Sequence, residues 1–265
     1  MKNRLTIITV CLCMSLISQG QTWNHIKTVG LPEETTNQSM DSDGYLYVGT
    51  KSGNILKYDQ NGELLETYSD LGKFPVTTVE AWNRMKPFIY YQSAQQFYFL
   101  DRFSTTPAMY DLSDFYSGLT TLCAPGFDNS FWVLSANHSE LKKFDIQTRR
   151  LILENPLQLD LSSASYMRAH RSNLIICDPE NGLFYFDQYG NQIAHNPSIK
   201  ITDFQVSKND LIYLQSDTVW MVDYTFQTIV KSVKAPEKAS MTVYRFGNQY
   251  IFVRKDELIY YSLDL

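Results

Sequence analysis

Charge is scarce in this 265-residue chain: Asp, Glu, Lys and Arg make up 19% of it and tilt negative, with 28 acidic against 23 basic side chains and a formal net charge of −5. Such a chain has no basic field to hold a phosphate backbone, and no Lys/Arg stripe is present, which sets aside nucleic acid and anionic membranes as partners. Glycine is sparse as well, at 12 residues, and neither G-x-S-x-G nor a phosphate-cradling Gly-rich loop occurs. The usual signatures of a serine hydrolase and of a nucleotide enzyme are therefore missing. No C-x-x-C pair exists, so a thioredoxin-type or Cys-zinc site is not expected. The apolar run near the N-terminus, Leu5 to Ile17, spans 13 residues, short of the roughly 18 to 20 that a membrane-spanning helix needs.

What that run does fit is an export signal. Lys2 and Arg4 precede it, and Ser18-Gln19-Gly20 follows it with small residues at the two positions a signal peptidase reads. Cys11 and Cys13 lie inside the run, but each follows a bulky residue where a lipid-anchoring signal wants a small one. Residues 1–20 are thus expected to be a cleaved secretory signal and 21–265 a single domain, secreted or periplasmic, with no membrane insertion once the signal is gone. Of the 4 Cys only Cys123 and Cys177 would remain. A dense disulfide framework is then excluded, while one bridge or two buried thiols both fit.

Aromatics are what the chain has in plenty: 18 Tyr, 15 Phe and 4 Trp, 14% in all, a composition that favours half-buried strands. Short β-type runs recur at Leu46–Thr50, Phe88–Gln92, Phe131–Ser135, Leu174–Asp178, Leu211–Gln215 and Tyr250–Arg254, with starts 42, 43, 43, 37 and 39 residues apart. After each comes a second strand ending in an apolar residue and then usually Asp, as in Tyr58-Asp59, Leu100-Asp101, Phe144-Asp145, Phe186-Asp187 and Val222-Asp223. Those aspartates read as turn formers whose carboxylates accept from a backbone N–H two residues on. A strand lies upstream of each core run, opening near Thr36, Thr77, Thr120, Ser165, Thr202 and Thr242, and a fourth follows the Asp turn. Four strands in about 40 residues, six times over, predict an all-β fold, a six-bladed β-propeller. The last unit runs out after three strands, and Thr22 to Val29 is an orphan strand. The N-terminal strand is therefore expected to complete the last blade and close the ring. Arg84-Met85-Lys86-Pro87 interrupts the tight turn of the second unit, which leaves five blades with an insertion as the fallback.

The segment Met40-Asp41-Ser42-Asp43-Gly44-Tyr45-Leu46-Tyr47-Val48-Gly49-Thr50 resembles the repeat of NHL-type and two-component-regulator propellers, which carry a D-x-x-G-x-L-[WY]-[VI]-[GA]-T core. The other units lose the Gly-Thr pair, so the resemblance implies a fold and no activity. Asp41 and Asp43 mimic the start of a calcium loop, but no Glu closes a twelve-residue loop, and a hairpin turn is expected.

The inner strands should line a central channel. By register their middle positions are Ser39, Glu80, Cys123, Arg168, Gln205 and Tyr244, and Glu80, Arg168, Gln205, Tyr244 and Arg245 form the expected ligand-facing cluster, near a rim of loops joining successive blades. The aromatic segment Phe103 to Tyr116, with Tyr110, Phe115 and Tyr116, is the candidate partner surface. His138 and His195 read as solvated turn or loop residues, and His170 stands out because it adjoins Arg168 on an inner strand. The first reading is a non-enzymatic binding or scaffolding module for a protein or small-molecule ligand, with no cofactor and no assigned metal. The alternative is a metal-dependent hydrolase of the gluconolactonase-like kind at the channel mouth, with Glu80, Asp203 and Asn37 as acids and amide on inner strands. A hard cation would need its oxygen ligands at about 2.0 to 2.6 Å, so the two acids must converge for that chemistry.

Overall fold

The computed structural model describes residues 22–69, 73–100, 107–137, 140–224, 228–236 and 241–264. Residues 1–20, expected to be an export signal, lie outside them, as do Asp101, Phe103 and His138. Among the described residues, six four-stranded antiparallel sheets account for the strands. Their inner strands are Thr35–Met40, Thr78–Glu80, Thr120–Pro125, Tyr166–His170, Gln205–Ser207 and Thr242–Phe246. The fifth begins three residues later than its Thr suggested, because Asp203 is used before the strand to hold the Phe204 N–H at 2.7 Å.

Each blade interface owns one hydrophobic cluster, and six such clusters close the ring. The second strands are buried on both faces, as in Ser130–Ser135, whereas the outer strands, such as Leu64–Tyr68, are mostly exposed. A middle strand packs one face against the blade before it and the other against the blade after, so it is apolar throughout instead of alternating with polar residues. Phe88, Phe97, Phe131 and Phe144 meet between the second and third blades in this way, each worth about 1.5–3 kcal/mol of burial.

The Asp turns form, although the N–H accepted is two residues on at Asp187 and three or four on at Asp145 and Asp59. Asp59 accepts from Glu63 N at 2.7 Å, Asp145 from Thr148 N at 2.6 Å, and Asp187 from Tyr189 N at 2.8 Å. Asp41 accepts from Asp43 N and Tyr45 N at 2.9 and 3.0 Å, the expected hairpin turn. In that same segment Gly49 lets the next blade close in: a Cβ there would lie 2.6 Å from Val76 Cγ1. Gly49→Val is therefore expected to lower stability by about 1–3 kcal/mol through overpacking, read as a lower urea midpoint with an unchanged slope.

Ring closure also holds. Thr22–Gly30 pairs antiparallel with Glu257–Asp264 as the outer strand of the last blade. Cys123 and Cys177 are free and buried, in the clusters of different blade interfaces, and burial pushes both thiols up. His195 is on the outer strand Gln192–Asn196, its ring stacked 4.1 Å from Phe184, and not in a loop. Among the described residues no helix is long and apolar enough to cross a membrane.

Candidate functional site

The inner strands all run the same way, and where their C-terminal ends converge they enclose an axial cavity of about 660 Å³. Every blade contributes to its wall, through Met40, Trp82, Phe127, Arg168, Lys208 and Phe246 among others. The cavity therefore opens on the face of the hairpins that join inner to second strands, opposite the rim of blade-to-blade loops on which the sequence reading placed a ligand. A smaller cavity of about 220 Å³ lies beside it between the second and third blades, with Glu80, Lys86 and Phe99 in its lining. Trp82 and Phe127 line both, their rings 4.1 Å apart and tilted by 31°.

Beneath the cavity a polar network crosses the axis. Arg168 on the fourth inner strand has its Nε 3.7 Å from Glu80 Oε2 on the second, and Tyr166 donates its hydroxyl to Glu80 Oε1. A second group sits alongside: Tyr244 donates to Asp203 Oδ2 at 2.8 Å, and Gln38 Nε2 donates to the same oxygen at 3.1 Å. Desolvation pushes Glu80 up to about 7 despite the nearby Arg168 charge, and Asp203 up to about 6 despite its hydrogen bonds. His170 is driven the other way, to about 4, by burial and then by the charges of Arg168 and Arg171. Its ring is neutral at pH 7, packs edge-on to Tyr224, and has a buried Nε2 without a hydrogen-bond partner.

Of the five residues expected to face a ligand, Arg168, Gln205 and Arg245 line the axial cavity. Glu80 faces the side cavity and the ion pair, and Tyr244 is buried below, engaged by Asp203 and the Gln38 carbonyl. Gln205 is largely a clasp between the fifth and sixth blades: it accepts from Arg245 N at 2.7 Å and donates to Arg245 O at 3.0 Å. Asn37 and Ser39 do the same between the first two blades, accepting from Val79 N and Ala81 N. Cys123 belongs to the inter-blade core. The reason is geometric. Near the axis a strand has neighbouring blades on both faces, so mid-strand side chains meet another blade, and the free space lies past the strand ends.

Tyr110, Phe115 and Tyr116 do not form a free aromatic patch. Tyr110 stacks on Phe97 at 4.9 Å, Phe115 meets Phe131 edge-on at 4.9 Å, and Tyr116 lies beneath the Lys142 ammonium. All three are half-buried cover on the core between the second and third blades.

Sequence reasoning passed over Trp82, Phe127, Arg171, Lys208 and Phe246. Four of them share a signal it could have used: Trp82, Phe127, Arg171 and Lys208 stand one or two residues after the end of an inner strand. Among the described residues no group of three or more His, Cys, Asp or Glu is placed to hold a metal ion. Glu80 and Asp203 each bind their own donors, and a cation beside Glu80 Oε2 would face the Arg168 guanidinium.

No protein-family model matches the chain, and no curated protein sequence does. Solved structures do. A virginiamycin B lyase from Staphylococcus aureus superposes with a TM-score of 0.64 at 10% identity, over 92% of this chain and 100% of that one. A streptogramin B lyase gives 0.64 at 11%, over 92% and 98%. A catalytically inactive variant of the Staphylococcus aureus enzyme, solved with quinupristin, gives 0.63 at 10%, over 92% and 100%. At such identity the likeness shows the six-bladed propeller and nothing of its chemistry.

Proposed function

We propose that this protein is an exported binding module that receives a small ligand in the axial cavity. The observation that carries this reading is the cavity itself: about 660 Å³, walled by all six blades, within the roughly 300–1,000 Å³ usual for small-molecule sites. A small ligand is favoured over a protein partner because Tyr110, Phe115 and Tyr116, considered for docking, are packed against the core. Export rests on the charged and apolar pattern of residues 1–20. The hydrolase alternative finds no support in the geometry, since Glu80 and Asp203 are held by Tyr166 and by Tyr244 with Gln38. The lyases that share the fold act on virginiamycin B or streptogramin B by their names, and at 10–11% identity the binding reading stands without them.

The test uses thermal denaturation against a small-molecule set. A ligand bound only by the folded state at about a hundred times its Kd adds roughly 2.7 kcal/mol, a midpoint rise of several degrees. Ser207→Trp, which fills the cavity from the half-buried end of the fifth inner strand, is expected to abolish the rise. A ligand that stabilises parent and Ser207→Trp alike would overturn the assignment of the cavity.

A further inference from the structure

We propose that the ligand of the axial cavity is an organic anion, its carboxylate, sulfonate or phosphate group held by Arg168 and its flat apolar body laid against Trp82 and Phe127. The inference rests on the cavity being the binding site and adds the chemical class.

Arg168 is the first ground. Its residue is 5% exposed, it lines the cavity, and its buried Nε has no hydrogen-bond partner. The nearest carboxylate oxygen, Glu80 Oε2, is 3.7 Å away and is itself without a hydrogen bond, while the other Glu80 oxygen is taken by Tyr166. A buried guanidinium with an incomplete ion pair is costly, and an anion in the cavity, where Arg168 is part of the lining, adds a second counter-charge beside the loosely placed Glu80. Burial also favours the protonated form of Glu80, which leaves still more of the Arg168 charge unbalanced near neutral pH.

The surrounding charge points the same way. Arg171, Lys208 and Arg245 join Arg168 on the lining, against two carboxylates, Asp41 and Asp210. One of those two is committed, because Asp41 accepts two backbone N–H groups of its own turn. Arg168 is buried while Arg171 and Lys208 are exposed at the mouth, and cations so gathered around a concavity attract an entering anion and repel a cationic ligand. The apolar half is equally defined. Trp82 and Phe127 present their paired rings, and Trp82 Nε1 is a buried donor without a partner. A flat ring system gains contact area there, and an acceptor on it would satisfy the indole N–H.

Two fluorescent probes that share their rings and differ in charge make the test: anilinonaphthalene sulfonate and the neutral phenylnaphthylamine, titrated into the purified protein. The sulfonate is expected to bind at one site about tenfold or more tightly than the neutral probe. Replacing Arg168→Gln together with Glu80→Gln removes both members of the buried pair, so neither charge is stranded, and is expected to bring the ratio of affinities close to one. Equal affinities in the parent, or a ratio that survives the double replacement, would overturn the anion assignment. Ser207→Trp separates the two levels of the argument. If it abolishes binding of two probes that the parent binds equally, the cavity stands and the anion class falls; if both still bind, the cavity assignment itself falls.

Discussion

Deletion of residues 22–30 is expected to cost the protein its cooperative unfolding transition at room temperature, or to lower the thermal midpoint by about 10 °C or more. That strand is joined to the last blade through the whole length of Glu257–Asp264. Trp23 packs edge-on against Tyr250, Phe252 and Tyr261 with centroids 5.0, 5.5 and 6.1 Å away, and its Nε1 donates to Lys234 O of the preceding blade at 2.7 Å. At the other end Val29 packs on the cluster between the last and first blades. Trp23 is half-buried, so its loss costs somewhat less than the roughly 3–5 kcal/mol of a fully buried Trp, and the ladder of a whole strand goes with it, against the roughly 5–15 kcal/mol that holds a typical domain together. The deletion also bares a full strand edge to other chains. Circular dichroism melts of the deleted protein, with and without a synthetic peptide of residues 22–30, measure this directly. Restoration of the transition by the peptide is expected, and a melt within a few degrees of the parent would show that the ring closes by other means.

Stability should also fall as pH rises through the range in which most proteins are steadiest. Glu80 and Asp203 are raised from 4.5 and 3.8 to about 7 and about 6. Both carboxyls keep their protons in the fold at pH values where the unfolded chain has released them. Their contribution is therefore complete below about pH 4 and is lost as pH climbs through 6 and 7, at roughly 3 kcal/mol for each. His170 works in the opposite sense. Its folded value of about 4 lies below the ordinary 6.5, so its contribution is present above that pH and lost on acidification. Two carboxyls outweigh one imidazole, and a comparison that leaves His170 in place removes it from the difference. Relative to a Glu80→Gln, Asp203→Asn variant, the parent is expected to lose several kcal/mol between about pH 4.5 and pH 7 in urea titrations. Parallel curves for the two proteins would contradict the buried-carboxyl account.

The fold was legible because its signals are local and repeated. An apolar run followed by a second strand recurs six times, five of them with Asp at the strand's end, and Asp59, Asp145 and Asp187 each hold a backbone N–H of the turn they open, two to four residues on. Closure was legible from arithmetic on strands, three at one end and one at the other. The site was legible only in part. Arg168 was reached by register, and it does line the cavity, but the same register picked Gln205 and Tyr244, whose polar atoms are spent between blades. Alternation along a strand tells which residues share a face; it does not tell that near the axis both faces are covered by other blades. Trp82 and Phe127 escaped for the complementary reason. They stand in hairpins, where no period exists to place them, and their meeting across the second and third blades depends on turn geometry. Asp203, weighed as a metal ligand, is instead the acceptor that anchors Tyr244 and Gln38.

The central claim is that the axial cavity is where this propeller meets its ligand, and the most direct test is a crystal structure of the protein with anilinonaphthalene sulfonate. The account predicts density in the cavity, with the sulfonate within hydrogen-bonding distance of Arg168 and the rings against Trp82 and Phe127. Density confined to the exposed aliphatic side chains of the outer strands, such as Leu64, Leu65, Ile229 and Val230, would contradict it.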